Sequence, residues 1–325
     1  MPIGLCQVNS TGTLLQVRAR EPIIPQQYDA AKRFGFCGTP GSGPAAPSHR
    51  FLRMLSPAPI ASIQCSLSHC ISRTNLPNYA EMITIAVIPA RLASTRLPRK
   101  ILREISGRPM LAWVYEAVRS SSLLNDVIVA TDSDEILQVC RQHGWHARLT
   151  SAQHRSGTER VHEVAREIAA DVYLNVQGDE PLTRPEHIHS LVQLMRDPAV
   201  QVGTLKTAMA AIDIPNPNAV KIVTDYAGRA LYFSRATIPC DRDHTGETRY
   251  FKHLGFYAYR RAALDRFVAL PESSLERSEK LEQLRFLENG ISILVGETPF
   301  DTVGVDTEED LRRAESLIGA LPQRS

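Results

Sequence analysis

The chain has 325 residues, a formal net charge of +2 at pH 7 and 43% hydrophobic residues, a composition that favours a soluble globular protein. It is long enough to bury a sizeable core, and its charge balance gives no reason to expect a nucleic-acid or membrane partner. Charged residues interrupt every apolar run before it could span a bilayer, and the six Cys show no zinc spacing, so we expect reduced thiols and no structural metal.

Residues 1–81 differ in composition from the rest of the chain. They are rich in Pro, Gly, Ser and Arg and poor in acids, and runs such as 38–44 break any periodicity. We therefore expect a largely disordered extension. Its Arg-rich, acid-poor character resembles an organellar transit peptide, although it lacks a clear amphipathic helix. A start codon assigned too far upstream, with Met82 as the true initiator, is the other interpretation.

A cationic loop follows the first predicted strand. Residues 83–88 are β-branched and almost continuously hydrophobic, which is typical of a strand buried on both faces of a parallel sheet. Four cations and two hydroxyls follow within a few residues: Arg91, Ser94, Thr95, Arg96, Arg99 and Lys100. Pro89 and Pro98 restrict the loop, and it contains no carboxylate that could pair with the cations. A solvated basic loop is the alternative, but the pattern favours a phosphate-binding loop.

Helices and strands alternate after this loop, as βαβ units on a parallel sheet would require. The predicted helices are 109–118, 134–143 and 160–169, the last preceded by a capping box at Ser156–Glu159, and the predicted strands are 127–130 and 172–176. Alternating segments at 202–208, 220–224, 230–233 and 254–259 indicate mixed or antiparallel strands inserted into the sheet. Helices at 275–288 and 308–318 flank a strand at 291–295. One α/β domain over 82–325 accounts for the pattern.

Two acidic positions follow predicted strands. Asp179 comes directly after the strand 172–176, and Asp306 precedes the last helix. Because ligands in parallel sheets bind beyond the carboxyl ends of the strands, Asp179 should face the same rim as the cationic loop. Mg²⁺ is typically held by one or two carboxylates together with substrate phosphates, so the pair predicts a magnesium triphosphate site. The alternatives are a simple turn at Asp179 and a helix N-cap at Asp306 or Thr307.

These and further segments closely resemble the 3-deoxy-manno-octulosonate cytidylyltransferases, also called CMP-Kdo synthetases, from residue 82 to the C terminus. The segments that carry the resemblance are Pro89-Ala90-Arg91, Leu97-Pro98-Arg99-Lys100, Ser156-Gly157-Thr158-Glu159-Arg160, Asn175-Val176-Gln177-Gly178-Asp179-Glu180-Pro181, Asn216-Pro217-Asn218-Ala219-Val220-Lys221, Tyr232-Phe233-Ser234-Arg235-Ala236-Thr237-Ile238-Pro239, His253-Leu254-Gly255, Leu281-Glu282-Gln283-Leu284-Arg285 and Gly304-Val305-Asp306-Thr307. Arg99 stands where the family usually has Gly.

The resemblance implies an α/β, Rossmann-like nucleotidyltransferase fold of the glycosyltransferase-A-like type. It also implies that the anomeric hydroxyl of 3-deoxy-manno-octulosonate (Kdo) attacks the α-phosphorus of CTP with Mg²⁺ as cofactor. The implied catalytic residues are Arg96, Lys100 and Asp179, and the implied metal ligands are Asp179 and Asp306. CTP would contact Arg91, Ser94, Ser156, Gly157 and Gln177, and Kdo would contact Arg235, His253, Tyr257, Glu282 and Gln283. A homodimer in the cytoplasm of a Gram-negative bacterium, feeding lipopolysaccharide synthesis, is the implied setting.

Other functions share parts of this pattern. A CMP-sialate synthetase or another sugar-nucleotide pyrophosphorylase would keep the phosphate and metal residues and change the sugar pocket. A nucleotide-binding module without catalysis is a further alternative. A dinucleotide oxidoreductase is disfavoured because the first strand is not followed by Gly-x-Gly-x-x-Gly.

Overall fold

A mixed sheet forms the centre of the part of the chain that the structure describes. The computed structural model describes residues 82–94 and 96–320, so the predicted extension 1–81 and Thr95 of the cationic loop lie outside the described residues. The strands are β1 (Thr84–Ala90), β2 (Glu104–Ile105), β3 (Arg108–Pro109), β4 (Asp126–Thr131), β5 (Ala147–Leu149), β6 (Val172–Asn175), β7 (Val202–Ala208), β8 (Lys221–Thr224), β9 (Ala230–Ser234), β10 (Phe251–Tyr259) and β11 (Ile293–Glu297). The α-helices are α1 (Met110–Arg119), α2 (Asp134–Gln142), α3 (Gly157–Glu167), α4 (Pro185–Leu194), α5 (Arg261–Ala269), α6 (Ser274–Glu279), α7 (Leu284–Glu288) and α8 (Glu308–Gly319).

The strand order accounts for both sequence patterns: the alternation of helices and strands up to residue 176, and the alternating segments between residues 202 and 259. The strands of the main run follow the order β11-β7-β10-β6-β1-β4-β5. β1 pairs in parallel with β4 and β6, β4 with β5, and β11 with β7, whereas β10 is antiparallel to both β6 and β7. β8 and β9 form an antiparallel ribbon attached to β10. The predicted α/β fold, with a mainly parallel sheet and inserted antiparallel strands, is confirmed.

β1 shows why its sequence is almost continuously apolar. Successive side chains of a strand point to opposite faces, and both faces of this sheet are covered. Ile85 and Val87 enter the core under α3, α5 and α7, and Ala86 and Ile88 enter the core under α1, α2 and α4. Packing on both faces therefore fixes the end of β1 at Ala90, where the cationic loop begins.

The predicted helix over 275–288 is wrong in its middle. The chain forms α6, turns at Lys280 in the left-handed region (φ 54°), and resumes as α7. The buried Arg285 guanidinium donates two hydrogen bonds of 2.7 and 2.6 Å to the Glu276 carboxylate across this corner, and Ser234 of β9 donates to Glu279 at 2.6 Å. Tertiary hydrogen bonds thus override the helical periodicity and fold the segment back over the sheet.

Helix α3 begins three residues earlier than predicted. The Ser156 hydroxyl accepts from the Glu159 amide at 3.3 Å, so Ser156 is the N-cap and the helix starts at Gly157. The Glu159 carboxylate accepts from the Arg155 amide instead of closing the predicted box. Helices α4 and α5 were not predicted. None of the helices in the described residues has the length and apolarity needed to cross a membrane.

Candidate active site

A cavity of about 580 Å³ opens where β1 and β6 end. Its lining includes nine of the predicted site residues: Arg91, Ser94, Arg96, Lys100, Ser156, Gly157, Gln177, Asp179 and Asp306. These residues lie in four separate segments of the sequence, which the topology brings to one rim of the sheet. The fold therefore brings these nine residues together around one concave space.

Lys100 lies between the two predicted metal ligands. Its Nζ donates to Asp179 Oδ2 at 2.5 Å and to Asp306 Oδ1 at 2.8 Å, and Arg96 contacts the other oxygen of Asp306 at 2.8 Å. Burial alone would lower the pKa of Lys100, but the two carboxylates outweigh it and raise the pKa. Burial likewise favours a higher pKa for Asp306, yet Lys100 and Arg96 hold that pKa below its ordinary value. The cluster is an ion-pair network, and both pKa shifts favour the charged forms of Lys100 and Asp306.

The loop before Lys100 is shaped by a residue in an unusual conformation. Arg99, which stands where the resembling family usually has Gly, adopts φ 56° and ψ 31° in the left-handed region. Its guanidinium pairs with Glu135 on α2 rather than facing the cavity. The backbone therefore keeps a glycine-like turn, and Arg99 is the one member of the predicted cation set whose charge, among the described residues, is directed outward.

Asp306 is free to face the cavity because its neighbour caps the helix. Thr307 is the N-cap of α8, and its hydroxyl accepts from the Asp310 amide while the Asp310 carboxylate accepts from the Thr307 amide. The Val305 amide also donates to the Asp179 carbonyl oxygen at 2.9 Å, which ties the two acidic segments together. The N-cap alternative thus applies to Thr307 and not to Asp306.

The donor set fits a divalent cation that is shared with a ligand. Two carboxylates from separate segments already converge on one cation, the Lys100 ammonium. No group of three or more His, Cys, Asp or Glu side chains in the described part of the chain could enclose a metal by itself. Mg²⁺ commonly uses one or two protein carboxylates and takes its other ligands from water and substrate phosphates. The residues present therefore suit Mg²⁺ brought in with a polyphosphate.

Two glycines, Gly157 and Gly178, lie in the segments that line the cavity. A Cβ at Gly178 would lie 3.1 Å from the Pro89 carbonyl oxygen and 3.2 Å from Ile101, and one at Gly157 would lie 3.4 Å from Asn175. The packing at Gly178 is too close to take a side chain without movement, whereas a Cβ at Gly157 would make ordinary van der Waals contact. Of the two, Gly157 lines the cavity, so its lack of a side chain leaves that space to a ligand.

Sequence reasoning missed three basic residues of the cavity wall. His154, Arg155 and Arg160 also line the cavity. The buried Arg160 guanidinium donates to Asp132 at 2.9 Å and to the Thr150 hydroxyl at 2.5 Å. The sequence does contain a signal, because the segment 154–160 is a second cluster of basic residues. The capping pattern in that segment indicates a helix start, however, and so favoured a structural interpretation over a binding one.

A polar cluster with unused hydrogen-bonding capacity adjoins the cavity. Among the residues that the structure describes, four buried side-chain atoms in this cluster have no hydrogen-bond partner: Asn175 Nδ2, Tyr257 Oη, Glu282 Oε2 and Gln283 Nε2. Asn175 and Tyr257 are direct partners across β6 and β10. The Thr158 hydroxyl links Glu282 at 2.8 Å to Tyr259 at 3.3 Å. An unpartnered buried polar atom costs about 1–3 kcal/mol, so four in one place indicate a site that a ligand completes.

This cluster includes three of the five predicted sugar-binding residues and shares a wall with the cavity. Burial raises the pKa of Glu282, and the hydrogen bond that its Oε1 accepts from Thr158 partly offsets that rise. Ser156 and Gly157 line the larger cavity, and Gly157 packs on Asn175. The two polar regions therefore meet at the start of α3.

His253 lies at the edge of the same cluster. Its Nε2 is 3.1 Å from the Thr204 hydroxyl, which itself donates to the Phe256 carbonyl oxygen at 2.7 Å, so His253 is the donor. Its ring meets Tyr257 at a centroid distance of 5.4 Å. Burial lowers the pKa of His253 to about 3, which keeps the imidazole neutral.

Arg235 makes different contacts from those expected of a substrate-binding residue. Its guanidinium donates to the carbonyl oxygens of Glu279 at 2.7 Å and Pro217 at 3.1 Å. Its backbone amide donates to the Glu279 carboxylate at 2.9 Å. In this structure Arg235 holds the end of α6, and its role as the partner of a substrate carboxylate stays a prediction.

Comparison with known proteins places these features in context. A family model described as Cytidylyltransferase matches residues 85–293. The 3-deoxy-manno-octulosonate cytidylyltransferase of Koribacter versatilis is 67% identical over 254 residues, which cover 76% of this chain and 97% of that protein. The protein of the same name from Acidobacterium capsulatum is 58% identical over 234 residues, covering 72% and 96%. The solved structure of CMP:2-keto-3-deoxy-manno-octonic acid synthetase complexed with CTP matches with a TM-score of 0.70 at 43% identity, covering 73% of this chain and 98% of that chain.

Proposed function

The chain belongs to the 3-deoxy-manno-octulosonate cytidylyltransferase family, and from that premise we propose that it transfers CMP from CTP to the anomeric hydroxyl of Kdo, releasing pyrophosphate. The observation that carries this function is the convergence of Lys100, Arg96, Asp179 and Asp306 at one cavity beside an unsatisfied polar cluster. The cavity suits a nucleoside triphosphate, and the cluster suits a polyhydroxylated acid.

The cations supply the charge that a triphosphate needs. Arg91, Arg96 and Lys100 line the cavity from one loop and face the space above Gly157 and the β6 end. In a single displacement the bond from the Kdo oxygen to the α-phosphorus forms as the bond to pyrophosphate breaks. Preorganised cations stabilise the charge that develops on the phosphate oxygens and on the leaving group. No side chain has to form a covalent intermediate.

Mg²⁺ is part of the proposal, with Asp179 and Asp306 as its protein ligands. When bound, it would polarise the α-phosphate and favour ionisation of the attacking hydroxyl. Lys100 would then exchange its carboxylate contacts for phosphate oxygens. Its four-carbon side chain allows that exchange without movement of the backbone.

The polar cluster is the proposed Kdo subsite. Tyr257 and Gln283 offer donors, and Glu282 offers a carboxylate oxygen, each without a hydrogen-bond partner in the described part of the chain. A sugar acid presents several hydroxyls that can satisfy both kinds of group. Because the cluster meets the cavity at Ser156, Kdo bound there would lie beside the α-phosphate.

We also propose a cytoplasmic homodimer that serves lipopolysaccharide synthesis. The β8–β9 ribbon exposes large apolar side chains, with Tyr226 fully exposed and Leu231 61% exposed, and Ile212 nearby in the chain is 83% exposed. Exposed apolar groups near one inserted ribbon support a contact between two copies. Sedimentation equilibrium of the wild type and a Tyr226→Ser, Leu231→Ser variant tests this. A wild-type monomer would contradict the dimer.

Pyrophosphate release tests the proposed reaction. The purified protein is incubated with Mg²⁺ and CTP plus either Kdo or sialate, and the sugar nucleotide is identified by mass. We expect release and CMP-Kdo formation with Kdo. Turnover with sialate alone would support the sialate alternative, and nucleotide binding without any turnover would support the non-catalytic module.

A further inference from the structure

Glu180 is a buried carboxylate for which the proposed reaction has no use. It follows Asp179 directly, is 8% exposed, and is not among the residues that line the cavity. Its Oε2 accepts a hydrogen bond from the buried Thr302 hydroxyl at 2.8 Å. Burying a carboxylate costs free energy unless the group is hydrogen-bonded, so the hydrogen bond from Thr302 offsets part of the cost of burying Glu180.

Thr302 lies in the segment that must carry Asp306 across the sheet. β11 is three strands away from β6 in the sheet, a distance of about 14 Å at the usual strand spacing. Residues 298–306 cover that distance without regular secondary structure. Asp306 can therefore meet Asp179 only if this irregular segment is fixed in place.

Hydrogen bonds fix the segment to each strand that it passes. The Thr298 amide donates to the Lys206 carbonyl oxygen of β7 at 2.9 Å, and Lys252 of β10 donates to the Thr302 carbonyl oxygen at 2.7 Å. The Glu180–Thr302 bond attaches the segment after β6, four residues before Asp306. It is a side-chain bond between the two acidic segments that also share the Val305–Asp179 backbone bond.

We propose that Glu180 is a positioning residue that, through Thr302, sets the Asp306 carboxylate at the correct distance from Asp179 to share one divalent cation. One dipeptide then has two tasks: Asp179 faces the ligand, and Glu180 holds the segment that brings the second carboxylate. This inference rests on the proposed magnesium triphosphate site and extends it to residues that touch neither metal nor substrate.

Metal binding measured apart from turnover tests the proposal. Mn²⁺ binding is followed by electron paramagnetic resonance of the free ion, in the presence of CTP, for wild type, Thr302→Val and Thr302→Ser. Removal of a group bonded directly to a metal ligand commonly costs about 10- to 100-fold in metal affinity. Thr302 acts one step further from the ligands, so we expect a loss of about 10-fold for Thr302→Val. Thr302→Ser keeps the hydroxyl and should bind within about threefold of wild type, and CTP affinity without metal should be unchanged in both variants.

A double variant separates positioning from stability. Thr302→Val leaves the Glu180 carboxylate buried without its donor, whereas Glu180→Met combined with Thr302→Val replaces both partners by apolar groups. The double variant should therefore recover thermal stability relative to Thr302→Val but not Mn²⁺ affinity. Recovery of both would overturn the proposal.

A matched control removes a buried hydroxyl elsewhere. Thr84 is fully buried at the opposite end of β1 from the cavity, where its hydroxyl donates to the Met82 carbonyl oxygen. Thr84→Val should bind Mn²⁺ like wild type, and an equal loss would show that general destabilisation is responsible. Wild-type affinity in Thr302→Val would refute the positioning role, whereas a wild type without Mn²⁺–CTP binding or Kdo turnover would refute the proposed function itself.

Discussion

Replacing Lys100 by Met tests whether its charge serves catalysis more than folding. The ammonium is 2.5 Å from Asp179 and 2.8 Å from Asp306, but those carboxylates are 28% and 46% exposed. Each partly solvated ion pair contributes about 0–1 kcal/mol, so loss of both should lower the melting temperature by no more than about 8 °C. The loss of one preorganised charge at a reacting phosphate should instead lower kcat by about 10²- to 10³-fold.

The assay combines steady-state pyrophosphate release with thermal unfolding. Lys206→Met is the matched control, because the side chains of Lys100 and Lys206 are both 12% exposed. The Lys206 ammonium pairs with Glu297, and neither residue lines the cavity. The control should keep kcat within about twofold of wild type. The reasoning fails if Lys100→Met keeps kcat within about threefold of wild type, or if it unfolds while Lys206→Met does not.

Further predictions concern the polar cluster, the dependence of stability on pH, and the packing around Gly178. Tyr257→Phe removes a hydroxyl that has no hydrogen-bond partner within residues 82–94 and 96–320, so the KM for Kdo should rise about 10-fold with no loss of thermal stability. An unchanged KM would contradict the subsite. His253, with a pKa of about 3 when folded, contributes stability that is complete above about pH 6.5 and is lost as the pH falls toward 3, because only the unfolded chain binds the proton. Burial raises the pKa of Glu180 to about 7, and this shift lowers stability as the pH rises toward 7, opposite to the effect of His253. The test is therefore the difference in the free energy of unfolding between His253→Gln and wild type, both measured by urea unfolding. This difference should change in favour of the variant by about 2 kcal/mol between pH 7 and pH 5, and a constant difference would contradict the buried neutral imidazole. Gly178→Ala places a Cβ 3.1 Å from the Pro89 carbonyl oxygen and should lower the free energy of unfolding by about 1–3 kcal/mol. An unchanged urea midpoint would show that the neighbouring backbone can adjust to the added methyl group.

The rim of the sheet was predictable because its signals are local. The β-branched strand and the cationic loop after it are adjacent in the sequence, and Asp179 follows another buried strand directly. In a parallel sheet such positions meet at one edge, so their convergence follows from topology. Asp306 was predictable for a related reason, since Thr307 could take the capping role and leave its neighbour free.

The sugar side depends on contacts between distant segments, which a local pattern does not contain. The break at Lys280 comes from hydrogen bonds of Glu276 and Glu279 to partners outside α6, against a helical periodicity. The unsatisfied atoms of Asn175 and Tyr257 become visible only when β10 is seen to pair antiparallel with β6. The carbonyl contacts of Arg235 likewise need coordinates, because its sequence position suits a carboxylate partner equally well.

A crystal structure with Mn²⁺ and a non-hydrolysable CTP analogue is the most direct test of the central claim. We expect an anomalous peak between Asp179 and Asp306, with triphosphate oxygens contacting Arg96 and Lys100 in the cavity. A nucleotide bound outside this cavity, or a metal held away from both carboxylates, would contradict the account.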